Sequence, residues 1–260
     1  MTILDKIIEN KKKELEKITG VITIRDLENS RFFKREVISL SESLCDKSKT
    51  GIIAEFKRKS PSGGIINSSS SVEYVTSGFF REGASGVSVL TDNQFFGGSN
   101  LDLLNARNKS AFPILRKDFI INEYQVVESK SIGADAILLI AAVLEKKEIM
   151  NLARLARSLG MEVLLEIHNP DELDKVNQDI NILGVNNRNL KTFEVNTDIS
   201  EKIADKIPSF CLKISESGIS SAGIIKKLRV LGYAGFLIGE KFMSAQNPVR
   251  AFSEFVKNMI

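Results

Sequence analysis

The sequence predicts an α/β fold, a closed (β/α)8 TIM barrel preceded by an N-terminal helical extension. Three observations carry that expectation. From Gly51 onward, eight short runs rich in β-branched residues alternate with longer amphipathic stretches, and strict alternation implies a parallel sheet with right-handed crossovers. Eight such units within about two hundred residues fit a closed barrel better than an open sheet. The length of 260 residues is common for one barrel. An open doubly wound sheet is the alternative, but no GxxxxGK[ST] is present and no GxGxxG follows a run, so the nucleotide signals of open sheets are missing.

Residues 1–50 lie outside the repeat. Ile3, Leu4, Ile7, Ile8, Leu15 and Ile18 make an apolar stripe at helical spacing. A second helical segment is expected at Ile24–Leu27, and VISLSESLCDKSKT reads as a loop. The stripe needs burial, so the extension is expected to pack on the barrel and not to serve as a free docking arm for a partner. The barrel takes residues 51–260, within a single domain spanning 1–260. Its runs are Ile52–Phe56, Gly86–Leu90, Pro113–Leu115, Ala136–Ile140, Glu162–Glu166, Ile182–Val185, Cys211–Ser215 and Gly235–Ile238. Helix-like stretches include Ser71–Glu82, Glu123–Ile132, Glu145–Leu159, Pro170–Val176 and Ala222–Leu231. Several of them end at a glycine, namely Gly83, Gly133, Gly160 and Gly232, the usual helix stop.

Composition excludes several function classes. A net charge of +3 is too small to argue for nucleic acid, and the densest basic run, Lys11 to Lys13, reads as a solvated helix face. The longest uncharged apolar stretch, Ala136–Leu144, falls far short of the ~20 residues of a membrane span. Cys45 and Cys211 stand in no metal or redox spacing, which suits a reduced cytoplasmic setting. His168 is the only histidine. A metal hydrolase is therefore disfavoured, and His168 is expected on the face of its strand opposite Glu166 as a structural residue.

The chemistry is expected where such barrels place it, at the carboxyl ends of the strands. The first run ends in Glu55 and Lys57, which share a face because side chains alternate. The third ends in Arg116, Lys117 and Asp118, the fifth in Glu166, and the sixth in Asn186 and Arg188. The seventh leads into Glu216, Ser217 and Gly218, and the eighth into Gly239 and Glu240. Any one of these is ordinarily a rim charge. Six strand ends loaded alike point to a site. Gly218 and Gly239, after the seventh and eighth runs, fit a phosphate held by backbone N–H groups and the amino end of a short helix. Glu240 would repel that phosphate, so only its backbone is expected to contribute.

Together the motifs EFKRKSPS, SVLT…FFGGS, ILRKDF, LLEIH, GVNNRNL, ISESGI and FLIGE closely resemble the indole-3-glycerol-phosphate synthases of tryptophan biosynthesis, in register from about Gly51 to Phe242. The N-terminal extension resembles the one this family carries. The resemblance implies conversion of 1-(2-carboxyphenylamino)-1-deoxyribulose 5-phosphate to indole-3-glycerol phosphate, with loss of carbon dioxide and water and without metal or organic cofactor. It implies a small phosphorylated substrate as the partner, and a monomer is expected. Lys117 resembles the general acid of ring closure and Glu166 the base of the dehydration. Lys57 resembles the cation that holds the substrate carboxylate and shares acid duty. Glu55 and Asn186 resemble the pair orienting these groups, with Arg188 and Glu216 completing a charged ring. Ser60 and Pro61 resemble a lid, Phe96, Phe119 and Leu138 the wall against the aromatic ring, and Ser217, Gly218 and Gly239 the phosphate cradle.

Lysine suits the acid's task if neighbouring cations and burial lower its pKa, and Arg116 and Lys57 are expected to do so. The chain departs from the family at Gly63, where many members have Lys, at Asn189, where others have Asp, and at Gly97, where Asn is frequent. The competing readings are a phosphoribosylanthranilate isomerase-like barrel, a Schiff-base aldolase using Lys117 or Lys57, and a catalytically inactive scaffold. The first needs no carboxylate-binding Lys, and the last should have lost one of Lys57, Lys117 or Glu166.

Overall fold

Eight parallel strands close into a barrel: β1 (Ile52–Phe56), β2 (Gly86–Leu90), β3 (Ile114–Lys117), β4 (Ala136–Ile140), β5 (Glu162–Ile167), β6 (Ile182–Asn186), β7 (Leu212–Glu216) and β8 (Gly235–Ile238). Each pairs with the next, and β8 pairs back onto β1 through Ile53 and Leu237. They are seen in a computed structural model that describes residues 2–190 and 192–259. Several strands start or end a residue or two later than expected. The shift matters most in β3, which runs on through Arg116 and Lys117, so that these neighbours point to opposite faces.

That alternation builds two layers inside the barrel. Ile53, Leu115, Leu164 and Ile214 form an apolar inner layer with Leu138 and Leu237. Two residues further along the same strands stand Glu55, Lys117, Glu166 and Glu216. The outward-facing residues, such as Ile52, Ala54, Val87, Val89, Val163 and Leu165, pack in the larger core against the surrounding helices.

The helices α1 (Ile3–Thr19), α2 (Ile24–Glu28) and α3 (Leu40–Cys45) precede β1. The third lies within the segment expected to be a loop. Six residues are too few to show a period, and α3 is held by tertiary contacts instead. Leu40 and Leu44 insert into the inner apolar layer, and the carboxylate of Glu162 accepts from the Ser39 hydroxyl at 2.7 Å and from the Leu40 and Ser41 amides at 2.8 and 2.9 Å. The helix thus plugs the amino end of the barrel.

Around the barrel run α4 (Val72–Arg81), α5 (Asn100–Asn108), α6 (Glu123–Ser131), α7 (Lys146–Ser158), α8 (Asp198–Ile203), α9 (Ala222–Val230), α10 (Glu240–Met243) and α11 (Pro248–Lys257). The stop glycines Gly83, Gly133, Gly160 and Gly232 all have positive φ, as a helix C-terminus requires. After β5 the expected helix at 170–176 is a 3-10 turn, Pro170–Lys175.

The extension packs on the barrel as its stripe demanded. Thr2 and Asp5 cap α1 reciprocally, and Ile3, Leu4 and Ile7 lie over the barrel mouth, where they line its cavity. The reading of Lys11 as solvated is overturned. Its side chain is buried, with Nζ 3.0 Å from Asp118, 3.2 Å from Asp92 and 2.8 Å from Glu14. It continues the stripe at i+4 from Ile7, and the sequence misled because Lys12 and Lys13 beside it are indeed exposed.

Candidate active site

A cavity of about 530 Å³ opens at the carboxyl ends of the strands. Arg116 apart, the residues expected at the site line it: Glu55, Lys57, Ser60, Pro61, Phe96, Lys117, Phe119, Leu138, Glu166, Asn186, Arg188, Glu216, Ser217, Gly218, Gly239 and Glu240.

On its floor, Lys117 from β3 is clamped between two carboxylates. Its Nζ lies 2.5 Å from Glu216 Oε2 and 3.1 Å from Glu166 Oε2. Burial favours the neutral amine, yet Glu216, Glu166 and Glu55 outweigh it and hold the Lys117 pKa well above the ordinary lysine range. The expected lowering by Arg116 and Lys57 does not occur. Arg116 points out of the barrel, where it donates to Glu128 at 2.7 Å and to Asp118 at 3.2 Å. Lys57 is neutralised by Glu55 at 3.0 Å.

The two carboxylates differ. Burial pushes Glu166 up, but Lys117 and His168 outweigh it and hold the pKa well below the usual carboxylate range. Glu216 is pushed up to about 8 by burial, against Lys117 and with help from Glu166. Within the pair, the surroundings favour the ionised form of Glu166 and the protonated form of Glu216.

Further positions follow from the loops. Phe96 and Phe119 set their rings 5.9 Å apart at 37°, with Leu138 buried below. Ser60 belongs to a small hairpin, Lys59–Ser60 against Gly64–Ile65, tied to the loop after β2 by Lys59 donating from Nζ to the Gln94 carbonyl at 2.6 Å. Asn186 braces its own loop, accepting the Arg188 amide at 3.0 Å. Arg188 reaches Glu240 at 3.7 Å. The Glu240 side chain there is half exposed.

Ser217 and Gly218 both adopt left-handed backbone, with φ of 62° and 75°, and a methyl group on Gly218 would stand 2.5 Å from Val195. Gly239 caps the amino end of α10. Both turns line the cavity.

A family model described as indole-3-glycerol phosphate synthase matches residues 4–255. A Bacteroides thetaiotaomicron protein named indole-3-glycerol phosphate synthase is 44% identical over 98% of both chains, and one from Polaromonas naphthalenivorans is 40% identical over 97% of both. The chain belongs to the indole-3-glycerol phosphate synthase family.

Solved structures add the fold alone. A 3-hexulose-6-phosphate synthase from Salmonella typhimurium gives a TM-score of 0.58 at 13% identity over 81% of this chain and all of that one. A chain of the tryptophan synthase complex from Pyrococcus furiosus gives 0.60 at 13% identity, over 80% and 97%. Membership in the indole-3-glycerol phosphate synthase family sets aside the isomerase-like alternative. No helix among the described residues is long and apolar enough to cross a membrane, and none of their His, Cys, Asp and Glu side chains form a group of three or more placed for a metal ion.

Two charged groups of this synthase-family site were misread from the sequence. Lys11 is one. The other is His168, expected opposite Glu166. It stands two residues after Glu166 and so on the same side, with Nε2 3.3 Å from Glu166 Oε1.

Proposed function

We propose that the protein closes the indole ring of indole-3-glycerol phosphate with Lys117 as acid and Glu166 as base. The observation that carries the role assignment is the Lys117 ammonium clamped between Glu166 and Glu216 on the cavity floor, beside a second cation, Lys57.

The substrate phosphate seats against the Ser217–Gly218 turn and the amino end of α10 at Gly239, where backbone N–H groups and the peptide dipoles favour an anion. Its aromatic ring lies against Phe96, Phe119 and Leu138. Its carboxylate faces Lys57.

Ring closure forms a bond between the ring carbon bearing the carboxylate and the ketone carbon. The carbonyl π pair moves to oxygen, which takes a proton from Lys117. A charged lysine is the form that can donate, and its carboxylate partners keep it charged. A positioned acid contributes typically 10²–10⁴-fold. Breaking the bond to the carboxylate releases carbon dioxide and returns the electron pair to the ring. The hydroxyl then leaves as water with a second proton, from Lys57, pushed out by the ring nitrogen. Glu166 takes a proton from the methylene carbon next to that nitrogen, which completes the indole. Counting the substrate as its carboxylate, one proton is consumed overall. Glu216, protonated near neutral pH and in contact with Lys117, is placed to recharge it.

The site residues act on a phosphorylated small molecule, and the two free cysteines suit a reducing cytoplasm. The test is indole fluorescence from purified protein given the carboxyphenylamino deoxyribulose phosphate, with EDTA present and no cofactor added. Fluorescence should rise. Folded protein that binds the substrate without a rise would overturn the reading in favour of a scaffold. Lys117→Ala and Glu166→Gln should each lower kcat by about 10²–10⁴-fold while the chain still folds, and near-normal turnover in either would remove that residue's role.

A further inference from the structure

Glu166 has two oxygens, and they face different cations. Oε2 takes Lys117 at 3.1 Å, while Oε1 lies 3.3 Å from His168 Nε2. The imidazole continues away from the cavity to Glu172, whose Oε2 is 3.8 Å from His168 Nδ1 and accepts the His168 amide at 2.7 Å. Neither ring nitrogen meets its carboxylate in hydrogen-bond alignment, but both stand within ion-pair range of one. His168 is mostly buried, its side chain 10% exposed, and it does not line the cavity. A ring wedged between two carboxylates behind a catalytic floor is an odd place for a neutral side chain.

We propose that His168 is a positioning residue of the reaction, an imidazolium that sits behind Glu166 and makes it, and not Glu216, the ionised carboxylate of the pair that clamps Lys117. This rests on Glu166 being the base.

Glu166 and Glu216 are both buried and both touch Lys117, Glu216 at 2.5 Å and Glu166 at 3.1 Å, so Lys117 alone would place the negative charge on Glu216. Among the described residues only Glu166 has a second cation. Burial pushes His168 down, but Glu166 and Glu172 outweigh it and raise the pKa to about 9, so the ring is charged across the neutral range. The other charged group facing this cluster from the outer side is Lys175, acting on Glu172. Its Nζ donates to the Ala141 and Leu144 carbonyls at 2.8 and 3.0 Å, tying the 3-10 turn to the loop after β4. On the inner side stand Lys117 and Glu216. A base must be ionised and an acid's proton reservoir must not be. The ring places the charge where the dehydration needs it.

Two measurements test this. His168→Gln keeps size and polarity but removes the charge. Its kcat should fall about tenfold or more near neutral pH, the loss deepening as pH falls, because the proton favoured on Glu216 shifts toward Glu166, with KM for the substrate within about twofold, because the ring does not touch the cavity. A profile superimposable on that of the unsubstituted protein would overturn the proposal. The second needs no substitution. His168 is the only histidine in the chain, so its imidazole resonances are assigned without ambiguity. They should report a ring that stays protonated until about pH 9. Titration at or below the ordinary value of about 6.5 would sink the idea even if the variant misfolded. Should Glu166→Gln retain turnover, the base assignment fails first. Should it be inactive while His168→Gln leaves the profile unmoved, only this inference fails.

Discussion

Gly239 shows how much one missing methyl group can decide. A Cβ at this position would stand 2.5 Å from Glu55 Oε1 and 2.9 Å from Glu55 Cβ, with backbone φ of −125°, so the obstacle is steric and not conformational. Gly239→Ala should push Glu55 aside and release Lys57, lowering kcat/KM on the order of 10²-fold. Steady-state kinetics alongside inorganic phosphate inhibition would check it; loss of phosphate affinity with kcat intact would show that Gly239 serves the cradle alone. Charge states here also set a pH dependence of stability. His168, raised to about 9 from 6.5, contributes stability fully below 6.5 that is lost as pH rises through 9. Glu216, raised to about 8 from 4.5, makes the fold weaken as pH rises from 4.5 through 8. The two shifts have the same sign, so stability should fall between about pH 6.5 and 9. For His168 the effect is at most about 3 kcal/mol. Urea unfolding across that range should show the decline, and His168→Gln should flatten it; a stability rising through that range would contradict both assignments. The identities of these residues were legible at the strand ends, but their charge states were not. Arg116 adjoins Lys117 in sequence yet faces away from it, whereas Glu216, 99 positions on, touches it.

At the level of elements, α1 depends on a lysine for its seat. Burial alone would favour neutral Lys11, but Asp118, Asp92 and Glu14 outweigh it and raise its pKa well above the ordinary range. Lys11→Met preserves the stem's apolar contacts and removes the charge, leaving Asp92 buried without its cation. Breaking a buried pair from one side costs about 3–5 kcal/mol. Lifting α1 would return Asp92 to water and remove that cost, so α1 should lift from the mouth. Limited proteolysis should cut near the α1–α2 turn, and KM should rise about tenfold as the cavity loses a wall; an uncut chain with normal KM would show that the apolar stripe suffices. The long helices and most strands were readable because their period repeats over enough residues. The short α3 and the 3-10 turn after β5 were not. Six residues show no period, and their geometry is imposed by Glu162 in one case and by the return path to β6 in the other.

The whole molecule divides its charges between two ends. The closed order of strands follows from the alternation in the sequence, and with it the grouping of six loaded strand ends around one cavity. What the alternation could not supply was the other end, where the extension is anchored. Asp135, fully buried just before β4, accepts from the Arg35 guanidinium at 2.5 Å, from Arg107, and from the Ile38 and Ile114 amides at 2.7 and 2.8 Å. Arg35, Ile38, Arg107 and Ile114 lie 100, 97, 28 and 21 positions away, beyond any local pattern. A carboxylate that gathers two cations and two amides ties the Arg35–Ile38 segment to the strands that α3 plugs. In such barrels the amino end serves stability and the carboxyl end chemistry. Asp135→Asn keeps the shape but leaves two arginines uncompensated, and should cost about 3–5 kcal/mol while kcat stays within about twofold. Urea unfolding and kcat measured on the same preparation would decide. If kcat fell with stability intact, the two ends would be coupled through the barrel, and the extension would act on the chemistry from below as well as from above.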